Sequence, residues 1–330
     1  MTFNTSTRHQ ARCLPGRLLG ALTVCVGLVC GAGAAWAQEE REIPEPVSRI
    51  LETKDGVQLQ TAWFPPINEK EAIPVILIHD WNGQGADLGP LASFLHQQGH
   101  AVIVPDLRGH GGSTRLRGVE APIDRERFTK VEIAGMSEDI ETCKRFLMEQ
   151  NNEGQLNIEL LTVVAVGDMS LVATDWALRD WSWPAIAGRK QGQDVKALVL
   201  LSPTRTFKGL SIAPALRNPL LSGRGAQPLS MLIAVGGRAG GPLRDARNIY
   251  ETLERSRPDL DLSGSEEDQM RERLEKQDLF LQEYDVDFQG AALVDPRARL
   301  NLHETILGFL NARLINKLDT YRWTDRSARD

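Results

Sequence analysis

Cysteine is scarce in this 330-residue chain, and it is almost absent from its larger part. Three of the four cysteines lie within the first 37 residues, so Cys143 alone remains beyond them. A single cysteine excludes an internal disulfide framework for that part. Cys143 recurs at helical spacing with apolar residues in the segment 136–148, so we predict a small buried side chain.

A basic excess is also missing. The chain has 38 Lys and Arg against 44 Asp and Glu, a net charge of −6. The first 37 residues hold three arginines and no acid, so the remainder is more acidic still. Because phosphate binding needs clustered Lys and Arg, we expect no nucleic-acid partner.

The chain lacks an apolar run long enough to span a membrane comfortably, which takes about 20 residues. Its N-terminus instead has the pattern of a secretory signal peptide. Arg8, Arg12 and Arg17 precede the short apolar run Leu18–Val29, and Ala35–Ala37 forms an A-x-A cleavage site. We predict a signal peptide at 1–37, export to the periplasm or the exterior, and no stable membrane span after cleavage. A retained membrane anchor is the alternative.

Beyond the signal peptide the pattern predicts a polar leader at 38–46, one domain at 47–318 and a polar tail at 319–330. Strands alternate with helices, which indicates a mostly parallel sheet of about eight strands with helices on both faces. The predicted strands are Ile50–Leu51, Val57–Trp63, Pro74–His79, Ala101–Pro105, Leu160–Val166, Ala197–Leu201, Ser230–Val235 and Leu279–Val286. The predicted helices are Leu88–Gln98, Met136–Gln150, Leu171–Trp181, Leu243–Arg255, Ser265–Lys276 and Leu300–Lys317.

Two motifs carry a resemblance to a known family. The strand Pro74–His79 runs into Asp80, and the next strand is followed by Asp106–Ser113, which reads D-L-R-G-H-G-G-S. This segment resembles the first half of the α/β-hydrolase fold, in which a strand ends in a His-Gly-type turn and a second strand ends in D-x-R-G-x-G-x-S. The resemblance continues with decreasing quality to about Leu314. It implies an α/β-hydrolase fold with a small or absent lid between Ser202 and Pro228.

The resemblance also implies positions for a catalytic triad, and the residues there do not match. The G-x-S-x-G nucleophile turn corresponds to Gly167–Leu171, which puts Met169 at the nucleophile position; a thioether has no proton to lose. The loop after the strand Ser230–Val235 contains no carboxylate, and the loop 289–296 contains no histidine. Ser170 and His303 are weak alternative candidates. Ser170 is also suited to a first-turn helix position, and His303 falls within an amphipathic final helix.

Charged residues follow several predicted strands, and the carboxyl ends of strands are where open α/β sheets bind ligands. They form either a network that holds the loops or a polar ligand site. No sequence motif indicates a metal or other cofactor. The candidate crevice residues are Asp80, Trp81, Asp106, Asp168, Arg205 and Arg238.

Three functions follow as hypotheses. The first is an exported hydrolase-like protein without the usual Ser/acid/His catalysis, which binds an unidentified small molecule or protein. The second is an active serine hydrolase of ester or peptide bonds with a displaced site at Ser170 and His303. The third is a component of an exported assembly, since Trp181 and Trp183 lie where a helix ends and tryptophan is enriched in interfaces.

Overall fold

The computed structural model describes residues 42–184, 186, 190–225 and 227–327. The predicted signal peptide at 1–37 lies outside these residues, as do residues 38–41 of the predicted leader. Residues from Arg41 onward form one compact unit. No helix within the described ranges is both long enough and apolar enough to cross a membrane.

A mixed sheet of nine strands runs through the centre of this unit, with the order β1-β2-β4-β3-β6-β7-β10-β11 and β5 paired to β2. The pairs β1–β2, β2–β4 and β2–β5 are antiparallel, and the other neighbours are parallel. The strands are β1 (Val47–Glu52), β2 (Val57–Phe64), β3 (Pro74–Ile78), β4 (Ala101–Pro105), β5 (Arg115–Leu116), β6 (Leu161–Val166), β7 (Val195–Leu201), β8 (Thr206–Phe207), β9 (Leu210–Ser211), β10 (Ser230–Gly236) and β11 (Leu279–Tyr284).

Helices cover both faces of the sheet. They are α1 (Gly89–Gln97), α2 (Lys130–Gly135), α3 (Ser137–Asn152), α4 (Ser170–Ser182), α5 (Gly241–Glu254), α6 (Glu266–Lys276) and α7 (Leu302–Arg313). All eight predicted strands and all six predicted helices correspond to elements of this fold. The final helix is shorter than predicted, and a separate 3-10 turn follows it at Ile315–Lys317.

The continuous apolar runs of the sequence form the central strands. Every residue of β3, β4, β6, β7 and β10 is buried, as strands covered on both faces require. Because side chains alternate along a strand, Ile76 and Ile78 face one cluster of buried residues, and Val75 and Leu77 face the other. Cys143 on α3 is fully buried, as predicted, and burial raises the pKa of its thiol.

A small lid and a packed tail complete the fold. The lid is the hairpin β8–β9, whose two turn residues, Lys208 and Gly209, both have positive φ, as a tight primed turn requires. The polar tail is not a free extension over 319–327. Its Arg326 forms ion pairs with Glu159 (2.9 Å) and Asp194 (2.8 Å) of the domain.

Candidate functional site at the carboxyl ends of the strands

The turn after β6 is sharp, and its left-handed residue is Gly167. Gly167 follows Val166 directly and has a φ of +54°, a conformation that side chains disfavour. A short 3-10 turn, Gly167–Met169, then leads into α4. The tip of the turn therefore lies at Gly167, two residues before the position that the sequence suggested. Met169 is fully buried in the core and faces no crevice.

The carboxylate of Asp80 lies beside this turn. Its Oδ1 accepts hydrogen bonds from the backbone N–H of Trp81 (2.8 Å) and of Asp168 (2.8 Å). A Cβ atom at Gly167 would lie only 2.3 Å from the same oxygen. Asp80 thus fills the space that a side chain at the tip of the turn would need.

The two N–H groups that Asp80 binds have a known role in active hydrolases of this fold. There the oxyanion hole is formed by the N–H of the residue after the nucleophile and by an N–H from the loop after the third strand. In this chain those positions are Asp168, which follows Gly167, and Trp81, which follows β3. An internal carboxylate therefore satisfies the donors that would otherwise bind a developing oxyanion.

Asp168 adds a second carboxyl group to the site. Its Oδ1 accepts a hydrogen bond from Thr204 Oγ1 at 3.0 Å. Burial, followed by the nearby charge of Asp80, raises the pKa of the Asp168 carboxyl above its usual value. The tip of the turn is therefore bordered by two acidic groups, and neither is bonded to a histidine.

His79 fixes the position of Asp80. The backbone N–H of Leu107 donates to His79 Nε2 at 3.0 Å, so the other ring nitrogen, Nδ1, carries the proton and donates to the Asp80 carbonyl oxygen at 2.7 Å. Burial lowers the pKa of His79 to about 4 and keeps the ring neutral. Both ring nitrogens are therefore committed to the backbone, and His79 is an anchor rather than a base.

Trp81 is buried under the lid. Its ring lies 5.3 Å from that of Phe207 on β8 and 5.3 Å from that of His110. The ammonium group of Lys208 lies 4.2 Å from the centre of the same ring, a cation–π contact. Of the two predicted possibilities, a small lid or none, the structure has the small one, and this hairpin covers Trp81 directly.

The other three crevice candidates do not join this cluster. Asp106 holds two loops together, because its carboxylate accepts the N–H groups of Gly85 and Gly112, each at 2.8 Å. The exposed Arg205 contacts Asp245 through its backbone N–H. The exposed Arg238 pairs with Asp285 at 3.3 Å.

Ser170 and His303 each form a hydrogen bond to backbone rather than to one another. Ser170 is fully buried at the start of α4, and its hydroxyl donates to the carbonyl of Ala165 at 3.4 Å. His303 lies on α7, where its Nε2 contacts the carbonyl of Val294 at 2.9 Å. Each side chain is bonded to nearby backbone of its own segment, and no hydrogen bond joins the two.

The loop after β11 reaches the site without a histidine. Its Gly290 donates a backbone hydrogen bond to Ser202 Oγ at 2.9 Å. A Cβ at Gly290 would lie 3.3 Å from Val166, the last residue of β6. In the family that the sequence resembles, this loop supplies the catalytic histidine. In this chain the loop brings the backbone of Gly290 to the site.

The tryptophans after α4 have different environments. Trp181 donates its indole N–H to the carbonyl of Val195 at 2.7 Å and so packs onto the sheet. Trp183 and Ile186 are exposed. The described part of this segment thus has one tryptophan packed onto the sheet and two exposed apolar side chains.

Sequence reasoning missed the roles of Gly167 and Asp80. The available signal was the dipeptide His79-Asp80, which stands where the resembling family has His-Gly. An aspartate there can reach the N–H groups that the glycine would leave free. The register of the turn was harder to predict. The sequence motif assigns Gly167 to the first glycine of G-x-S-x-G, whereas in the structure Gly167 is the tip of the turn.

Comparison with known proteins supports the fold. No family model matches the chain, and no curated protein does. An esterase from Pyrococcus furiosus superposes with a TM-score of 0.55 at 15% identity, over 82% of this chain and 92% of the esterase. An α/β hydrolase from a Penicillium species gives a TM-score of 0.51 at 13% identity, over 82% of this chain and 99% of that one.

A third solved structure has the same arrangement as part of a longer chain. Dipeptidyl peptidase 4 from Porphyromonas gingivalis gives a TM-score of 0.53 at 14% identity, over 83% of this chain and 36% of the peptidase. Identities this low establish the architecture and not the activity. The strand order, the turn after β6 and these three superpositions together identify the fold of the chain as the α/β-hydrolase fold.

Proposed function

We propose that this chain is an exported α/β-hydrolase-fold protein that does not perform Ser/acid/His catalysis and acts as a binding module for a small molecule or a protein. One observation carries the proposal. The Asp80 carboxylate is bonded to the N–H groups of Trp81 and Asp168, and it lies within 2.3 Å of where a side-chain Cβ at Gly167 would be.

Electrostatics supports the same conclusion. Acyl transfer develops a negative charge on the substrate oxygen, and the oxyanion hole must stabilise that charge. Here the place is already taken by a carboxylate, with the carboxyl of Asp168 nearby. A substrate oxygen would have to displace Asp80 and would then meet like charge.

Labelling with a serine-directed fluorophosphonate tests the loss of catalysis. We expect no labelling of the folded wild-type protein, because no described serine lies within hydrogen-bond reach of a histidine at this site. A folded serine hydrolase of the same fold serves as the positive control. Labelling that disappears on heat denaturation, and also in Ser170→Ala, would overturn the proposal and support the displaced site.

Export is proposed from the sequence of the first 37 residues. The full chain would be expressed in a bacterium with a periplasm, and the N-terminus of the soluble periplasmic product would be sequenced. We expect it to begin at Gln38. Recovery of the intact N-terminus in the membrane fraction would instead support a retained anchor.

A further inference from the structure

A cavity of about 640 Å³ lies at the opposite end of the sheet from Asp80. Pro228 precedes β10 and Leu279 begins β11, so the cavity opens at the amino ends of these strands. Its volume is in the range of small-molecule sites. The apolar side chains of its wall are Pro228, Tyr250, Pro258, Leu260, Leu262 and Leu279.

One wall of this cavity is only lightly attached to the domain. It is formed by Glu272 and Lys276 of α6, which pair with each other at 2.9 Å. None of the eleven residues of α6 is buried. Arg313 of α7 holds the C-terminal end of this helix through the carbonyls of Leu274 and Glu275, and the rest of the helix can adjust around a ligand at little cost in packing.

Arg257 lines the cavity and carries a hydrogen-bond donor without a partner among the described residues. Its side chain is only 9% exposed, and its Nε donates to Asp278 at 2.7 Å. Its Nη2 is buried and has no hydrogen-bond partner among the described residues. A buried donor without an acceptor is costly, by about 1–3 kcal/mol, so a ligand acceptor there would be favoured.

The side chain of Ser222, near Arg257, provides a second unused polar group. Ser222 Oγ is also buried without a partner in the described part of the chain. Its neighbour Gly223 lines the cavity, and a Cβ at Gly223 would lie 2.6 Å from Arg257 Cγ. The glycine therefore makes room for the arginine at this wall.

The charges of the wall select against an anion. Two cations, Arg257 and Lys276, each pair with an acid, Asp278 and Glu272 respectively. Two further wall residues, Glu254 and Asp259, are acids without a cation partner in the wall. A negatively charged ligand would be repelled, whereas an uncharged oxygen can still accept from Arg257.

We propose that this cavity is a binding site for an uncharged, largely apolar small molecule that carries a carbonyl or hydroxyl oxygen, which accepts a hydrogen bond from Arg257 Nη2. The site is separate from the crevice at Asp80. It does not depend on whether the chain has hydrolase activity.

Fluorescence titration of the full chain tests this proposal with two probes of related shape. Prodan is an uncharged naphthyl ketone, and anilinonaphthalene sulfonate is an anion. We expect saturable Prodan binding with one site per chain and weaker binding of the sulfonate. Arg257→Lys removes Nη2 and keeps a cation for Asp278, so it should raise the Prodan Kd about fivefold.

Arg247→Lys is the matched control, because Arg247 on α5 likewise pairs with an acid, Glu283, but does not line the cavity. It should leave the Prodan Kd unchanged. Leu260→Ala should raise the Prodan Kd about fivefold through lost apolar contact. This variant tests the site if Arg257→Lys does not fold. No saturable Prodan binding, tighter binding of the sulfonate, or a Prodan Kd unaffected by the folded cavity variants would overturn the proposal.

Discussion

At the scale of single residues, Asp80 is the group on which the site is organised. Its carboxylate satisfies the N–H groups of Trp81 and Asp168. In Asp80→Ala both donors lose their acceptor, so the free energy of unfolding should fall by about 2 kcal/mol. The vacated place is then an anion site, so formate should raise the melting temperature of the variant above its value in chloride at equal ionic strength.

Asp80→Asn is the control for this experiment. The asparagine has nearly the same shape and retains one oxygen acceptor, so it should lose less stability and show no specific response to formate. Equal responses to formate in wild type, Asp80→Ala and Asp80→Asn would mean that the two N–H groups do not form an anion site.

The sequence predicted which residues lie at the crevice more accurately than it predicted their hydrogen-bond and ion-pair partners. Asp80, Trp81 and Asp168 do meet, because parallel strands place their carboxyl ends at one edge. The other three candidates also follow strands at this edge, but they form hydrogen bonds or ion pairs with other groups; they are Asp106, Arg205 and Arg238. The direction of a side chain at a strand end depends on local turn geometry, which strand periodicity does not specify.

At the scale of secondary-structure elements, the tail at 319–327 acts as a strap on the domain. The side chain of Arg326 is 7% exposed, and it pairs with Glu159 and Asp194. Arg326→Ala would leave the buried Asp194 and the partly buried Glu159 with one partner fewer each, so the free energy of unfolding should fall by about 2 kcal/mol in urea denaturation.

Arg322→Ala is the matched control in the same tail. Arg322 is exposed, and its Nε contacts the carbonyl of Asp319. Its replacement should change stability by no more than about 0.5 kcal/mol. A loss of stability in Arg322→Ala as large as that in Arg326→Ala would contradict a specific role for the buried ion pairs.

Elements were predictable where burial gives a strong pattern. Long apolar runs such as β6 and β7 are recognisable in the sequence as buried strands because both faces of the strand are covered. The hairpin β8–β9 was missed because its strands have two residues each. The packing of the tail was missed because Arg326 finds its partners more than a hundred residues away in the chain, and composition alone describes such a segment as polar.

At the scale of the whole molecule, buried histidines set the response to acid. Burial lowers the pKa of His79 and of His100 to about 4, against an ordinary value of 6.5. Below pH 6.5 the unfolded state therefore binds more protons than the folded state, so stability falls as the pH drops toward 4. Between pH 7.5 and pH 5 each histidine should contribute a loss of about 2 kcal/mol.

Urea unfolding at these two pH values measures the effect. His100→Gln cannot bind the proton, so its loss of stability between pH 7.5 and pH 5 should be smaller than that of wild type by about 2 kcal/mol. An equal loss in the two proteins would show that His100 does not contribute to the loss of stability in acid.

The Asp80 carboxylate takes the place of a side chain at the turn after β6. A double-mutant cycle of Gly167→Ala and Asp80→Gly, measured by urea unfolding, tests it most directly. Gly290 also has positive φ, and its nearest neighbour is Val166 rather than Asp80, so Gly290→Ala in the same two backgrounds is the control.

Gly167→Ala should destabilise the wild type more than the Asp80→Gly background, by about 1 kcal/mol or more, because only the backbone penalty of the left-handed residue remains in that background. Gly290→Ala should cost the same in both backgrounds. Equal costs of Gly167→Ala with and without the Asp80 side chain would contradict the claim.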